Sequence, residues 1–112
     1  MEGDLRLWLA YLRVTLLLPG CDNLKGRRQA VRSLLEHVRG QNVSTTDLGP
    51  EGIVNEAVLA FACAGSSPRE LGERLDRIRG TLERRQDEGD FEIVRIEREV
   101  YRDDDLSNRT DQ

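Results

Sequence analysis

Trp8-Leu9-Ala10-Tyr11-Leu12-Arg13-Val14-Thr15-Leu16-Leu17-Leu18-Pro19-Gly20 decides the fold, because its side chains sort onto two faces with a period of two. Trp8, Ala10, Leu12, Val14, Leu16 and Leu18 fall on one side, and Leu7, Leu9, Tyr11, Arg13, Thr15 and Leu17 on the other. Successive side chains of a strand point to opposite faces, so the alternation from Leu5 onward reads as a strand with one fully apolar face and one mixed face. Such a strand suits the centre of a sheet. Pro19-Gly20 ends it, since proline cannot donate to a ladder.

The period then changes from two to 3.6. Asn23 is placed to cap a helix in which Leu24, Val31, Leu34, Leu35 and Val38 share one face, and Gly40 is placed to stop it. Lys25, Arg28, Arg32 and Arg39 form a stripe beside that face. Arg27 projects onto the apolar side, so it is expected to snorkel at the end of the core or to meet a carboxylate there.

Beyond the helix, residues 42–48 (Val43-Ser44-Thr45-Thr46 among them) form a weak strand candidate, and Gly49-Pro50-Glu51-Gly52 a hairpin connection. In residues 56–64, Val58, Ala60, Ala62 and Ala64 alternate with Ala57, Leu59, Phe61 and Cys63, which predicts a second central strand. Ser67-Pro68-Arg69-Glu70 is a capping box with proline at the first helical position. Leu71, Leu75, Ile78 and Leu82 then step along one face, opposite Glu73, Arg77, Glu83, Arg84 and Asp87, which read as a solvated surface laced with ion pairs one turn apart. Residues 91–101 read as the last strand, with Val94, Ile96 and Val100 toward the core and Arg95, Glu97 and Glu99 facing away, within reach of Arg13.

The order is strand, helix, strand, strand, helix, strand. Right-handed crossovers favour an α+β, ferredoxin-like βαββαβ domain over residues 5–101: a four-stranded antiparallel sheet with two helices on one face. Two half-sheets exchanged between subunits are the alternative. Residues 102–112, with Asp103-Asp104-Asp105 and no apolar periodicity, read as a disordered acidic tail.

Composition narrows the function classes. The chain has 112 residues, a length for one domain, and a net charge of −4. Residues 5–101 hold 15 basic and 15 acidic groups, so the excess acid lies at the ends, and residues 24–39 alone carry a local +4. No apolar run approaches the ~18 residues of a membrane span, and the apolar start lacks a cleavage-site pattern, so a cytoplasmic protein with no membrane partner is expected. Cys21 and Cys63 lack metal-type spacing and read as free thiols.

Catalytic chemistry finds little to stand on. His37 is the only histidine and reads as an ordinary surface or half-buried side chain. Glu97 and Glu99 share a strand face, but ion pairs with Arg13 and Arg95 explain them. No glycine cluster has the lysine and spacing of a phosphate loop. A non-enzymatic protein without cofactor, metal or small-molecule ligand is therefore expected. Phe61 is the only aromatic of residues 56–64, which argues against base stacking on the sheet.

Leu12-Arg13-Val14, Leu18-Pro19-Gly20, Leu24-Lys25-Gly26-Arg27-Arg28 and Val31-Arg32-Ser33-Leu34 together resemble the YlxP-like bacterial proteins, a domain family of unknown function (DUF503). Asn42-Val43-Ser44, Ala57-Val58-Leu59 and Val94-Arg95-Ile96-Glu97-Arg98-Glu99 extend the resemblance over residues 10–101. Gly26 stands where the family usually has lysine or glutamate, and Val54 where it often has tryptophan. The resemblance implies a ferredoxin-like fold, a small homo-oligomer, and a link to translation, since genes of this family often lie among those for initiation and ribosome maturation.

Two expectations follow. Lys25, Arg28, Arg32 and Arg39 are the candidate contacts to RNA, with rRNA or a ribosomal subunit as partner, because arginine offers phosphate oxygens a planar set of donors. The alternative is a structural or regulatory homo-oligomer that uses the open sheet face around Leu7, Leu9, Tyr11 and Leu17, too apolar for open water.

Overall fold

A computed structural model describes residues 5–89 and 91–104. Its elements are β1 (Trp8–Leu17), α1 (Leu24–Val38), β2 (Ser44–Gly49), β3 (Glu56–Gly65), α2 (Pro68–Asp87) and β4 (Glu92–Arg102). The four strands form one antiparallel sheet in the order β2-β3-β1-β4. β1 and β3, the two strands with apolar residues on both faces, take its centre. This is the ferredoxin-like α+β arrangement.

One face of the sheet carries the core. Ala10, Leu12, Val14, Leu16 and Leu18 from β1 and its end, with Ala57, Leu59 and Phe61 from β3, pack against Val31, Leu34 and Val38 of α1 and Leu71, Leu75, Ile78 and Leu82 of α2. Each set is the apolar phase of its element, so binary patterning and packing agree. Both helices start as their caps require: Asn23 accepts from the Gly26 amide at 2.7 Å, and Ser67 from the Glu70 amide at 3.2 Å. α1 closes at Arg39, and Gly40 follows at φ +89°, a conformation costly for any residue with a Cβ.

Two local readings need correction. Val94 does not face the core: it is 47% exposed, and Ile93 packs inward instead. The cause is a bulge, for Thr15 pairs with Arg95 while the next residue, Leu16, pairs with Ile93. The inserted residue reverses the alternation on one side of it. Leu24 shares the phase of the apolar face but is 45% exposed, because as the first helical residue it lies beside the β2–β3 loop rather than over the sheet.

Ordered structure runs past residue 101. Arg102 closes β4, and the Asp103 amide donates to the Leu7 carbonyl at 3.0 Å. The rest of the stretch read as an acidic tail, from residue 105, lies outside the described residues.

Candidate nucleic-acid interface

The positive charge of α1 divides by helical phase. Arg27, 7% exposed, turns inward against the end of β2. Its Nη1 and Nη2 donate to the two carboxylate oxygens of Asp47 at 2.7 and 3.1 Å, its Nε to the Glu56 carbonyl at 2.8 Å, and Nη2 also to the Gly49 carbonyl at 3.0 Å. The Arg27 guanidinium holds the Asp47 carboxyl below its ordinary range, outweighing burial, and the Gly49 amide adds to this. The expected carboxylate is therefore present, and Arg27 serves the fold.

Arg28, Arg32 and Arg39 face the other way and line one groove between α1 and β2, of about 520 Å³. Val31, Leu35 and Val43 give it an apolar floor. Arg39 pairs with Glu36 at 3.1 Å, both side chains well exposed, an arrangement worth at most ~1 kcal/mol. Among the described residues, Arg28 and Arg32 have no carboxylate within salt-bridge distance. Asp47 also borders the groove, but it is engaged by Arg27. Lys25 is exposed on the first turn and does not line this groove. Three of the four expected side chains thus come together, and the fourth stands apart.

A second basic group escaped the sequence reading. Arg74, Arg77 and Arg84 on α2 line a neighbouring groove of about 670 Å³ together with Gln41, Asn42 and Thr81. Sequence suggests ion pairs one turn away for each, and α2 does carry such pairs: Arg69 with Glu73, Arg79 with Glu83, Arg85 with Glu88. Glu73, one turn before Arg77, is held by Arg69, and Glu88, one turn after Arg84, is held by Arg85. Spacing shows which partners are within reach, not which arginine takes them. The acid-free flank at positions 74, 77, 81 and 84 is the signal that was there to find.

The open sheet face is less uniform than its alternation suggests. Leu7 and Leu17 are 42% and 37% exposed, while Leu9 and Tyr11 are half-buried. Tyr11 donates to Glu99 at 3.2 Å, and burial with that carboxylate raises its phenol pKa above the ordinary value. Arg13 pairs with Glu97 at 3.6 Å and lies over the Tyr11 ring at 6.0 Å. Six steps along the strand, about 20 Å at 3.3 Å each, take Tyr11 to Leu17, with the Arg13–Glu97 pair between them. Along β1 the apolar set is interrupted, while Val58, Ala60 and Ala62 of β3 lie beside the interruption.

Of the remaining candidates, His37 is exposed and its Nδ1 lies 2.7 Å from the Ser33 carbonyl of its own helix. Cys21 and Cys63 are free and packed against the core. Among the described residues no three His, Cys, Asp or Glu side chains gather as a metal set, and no helix is long and apolar enough to cross a membrane.

Fold and basic grooves together define a ferredoxin-like α+β domain with an arginine-rich helical side. Comparison with protein families matches residues 9–98 to the family described as "Protein of unknown function (DUF503)". The chain belongs to that family. No match was found among curated proteins.

Proposed function

We propose that the protein is a non-enzymatic accessory factor of translation or ribosome maturation that holds structured RNA by its phosphates against α1. The observation that carries this reading is the pair Arg28 and Arg32, fixed on a helix above an apolar-floored groove and without a carboxylate partner among the described residues. Arg39 at the same groove exchanges an exposed, weak pair with Glu36 for phosphate at little cost. Lys25 supplies a flanking point charge. Guanidinium groups suit this role because they remain charged and present parallel donors to phosphate oxygens. The link to translation comes from the gene neighbourhood of the YlxP-like proteins.

Sedimentation of a cell lysate through a sucrose gradient tests the proposal. At low salt the protein is expected to travel with ribosomal particles, to be released as salt rises, and to stay at the top when Lys25, Arg28, Arg32 and Arg39 are all replaced by glutamine. A wild-type protein that stays wholly at the top at low salt overturns it.

A second reading, self-association through the open sheet face, is favoured by exposed Leu7 beside half-buried Leu9 and Tyr11. It is compatible with the first, since the helices cover the opposite face. Light scattering at micromolar concentration decides it: a dimer or larger species supports the interface, and a monomer removes it.

A further inference from the structure

We infer that the RNA-binding surface continues around the C-terminal end of α1 onto α2, where Arg74, Arg77 and Arg84 form a second phosphate site, and that the ligand fitted to both sites is double-helical RNA. This rests on the RNA reading above and specifies its ligand and footprint.

The phase of α2 sets the site. Positions 74, 77, 81 and 84 advance by three, four and three residues, so they share the flank of α2 that faces the 40–42 turn. That wall is tied together. Arg74 Nη1 donates to the Asn42 carbonyl at 3.3 Å, and Gln41 Nε2 to Thr81 Oγ1 at 3.2 Å. Thr81 Oγ1 in turn donates to the Arg77 carbonyl at 3.0 Å. The arginines therefore project from a braced surface rather than from a free loop.

Among the described residues no carboxylate pairs with the arginines of this surface. Among the described residues Asp76 is the one acid lining the α2 groove, and Arg98 of β4 holds it at 2.5 Å. Among the described residues, Arg74, Arg77 and Arg84 have no carboxylate within salt-bridge distance. The α1 and α2 grooves both include Gly40, so they meet where α1 ends. With Arg28 and Arg32, five guanidinium groups without a carboxylate partner among the described residues border one continuous surface. Like charges so gathered repel one another, and a polyanion is the ligand that reverses the sign of that interaction.

The linings also discriminate between kinds of RNA. Among the described residues neither groove is lined by a phenylalanine, tyrosine or tryptophan. Proteins that hold single strands combine basic grooves with aromatic platforms for unstacked bases, whereas double-helical RNA is recognised through backbone and shape. A surface rich in guanidinium and without stacking partners suits the second.

Fluorescence polarisation with the full chain tests this, using an RNA duplex of about 20 base pairs, long enough for a domain-sized contact, and a polyuridine strand of equal length. The duplex is expected to bind more tightly. R77Q/R84Q is expected to weaken duplex binding about tenfold near 0.1 M salt and to lower the salt slope by about two, with an unchanged melting temperature. If R28Q/R32Q loses binding while R77Q/R84Q matches wild type, the α2 site is overturned and the α1 reading stands. Polyuridine bound as tightly as the duplex overturns the assignment of double-helical RNA. No binding of either RNA by wild type at low salt overturns both readings.

Discussion

Arg27 and Asp47, twenty residues apart in sequence, form a bidentate pair that fastens α1 to the end of β2, with Nη1–Oδ2 at 2.7 Å. The same guanidinium donates to the Glu56 and Gly49 carbonyls on the two sides of the β2–β3 connection, so one side chain gathers helix, edge strand and loop. Asp47→Asn removes the charge but keeps the shape, leaving a buried guanidinium half satisfied. Loss of one partner of a fully buried pair costs ~3–5 kcal/mol, and because Asp47 is partly exposed a loss of roughly 2–3 kcal/mol is expected, read by urea denaturation. An unchanged midpoint would show that the two carbonyls suffice.

The pair also sets an acid limit. The Asp47 carboxyl titrates below its ordinary value in the folded protein, chiefly because of the Arg27 hydrogen bond. A carboxyl depressed in this way stabilises the fold above its unfolded pKa, about 3.9, and that contribution is lost as pH falls through the folded value. Stability is therefore expected to fall below about pH 4, with a shallower fall in Asp47→Asn. Parallel pH profiles of the two proteins would assign the loss to other carboxyls.

Glycines in α2 offer a test of sign. A Cβ on Gly80 would meet only Arg84 Nη1 at 3.6 Å, an ordinary contact, so Gly80→Ala is expected to stabilise by about 0.5–1 kcal/mol in thermal unfolding. A Cβ on Gly72 would come within 3.0 Å of Arg98 Nη2, which itself donates to the Gly72 carbonyl. Gly72→Ala should gain less, because Arg98 must shift. Equal gains would show that Arg98 yields freely.

Phe61 is fully buried on the core face of β3. Phe61→Ala is expected to cost about 3–5 kcal/mol, measured by denaturant unfolding. A cost near 1 kcal/mol would mean that the core collapses into the space.

The limits of sequence reading here have physical causes. The inward turn of Arg27 was legible, since helical phase alone places it with Val31 and Leu34. Its partner was not, because nothing local ties position 27 to position 47. The two faces of β1 were legible from Trp8 on, although the alternation runs back to Leu5 and the strand does not, and the same logic fails at Val94, where a bulge inserts a residue that alternation cannot register. On α2 the ion-pair lacing was correct in kind, but Arg69 takes Glu73 from Arg77 and Arg85 takes Glu88 from Arg84, while Asp87, also one turn from Arg84, forms no ion pair with it. The basic stripe of α1 was legible as charge, whereas its junction with α2 at Gly40 depends on how the helices pack.

RNA is expected to lie against the arginine side of the helices. Ultraviolet crosslinking in native cells, followed by mass spectrometry of the RNA-linked peptides, addresses it most directly. The expected result is RNA attached to peptides from residues 25–42, with further links in residues 74–84. Recovery of the protein free of RNA, or links confined to the β1 and β4 residues of the open sheet face, would contradict it.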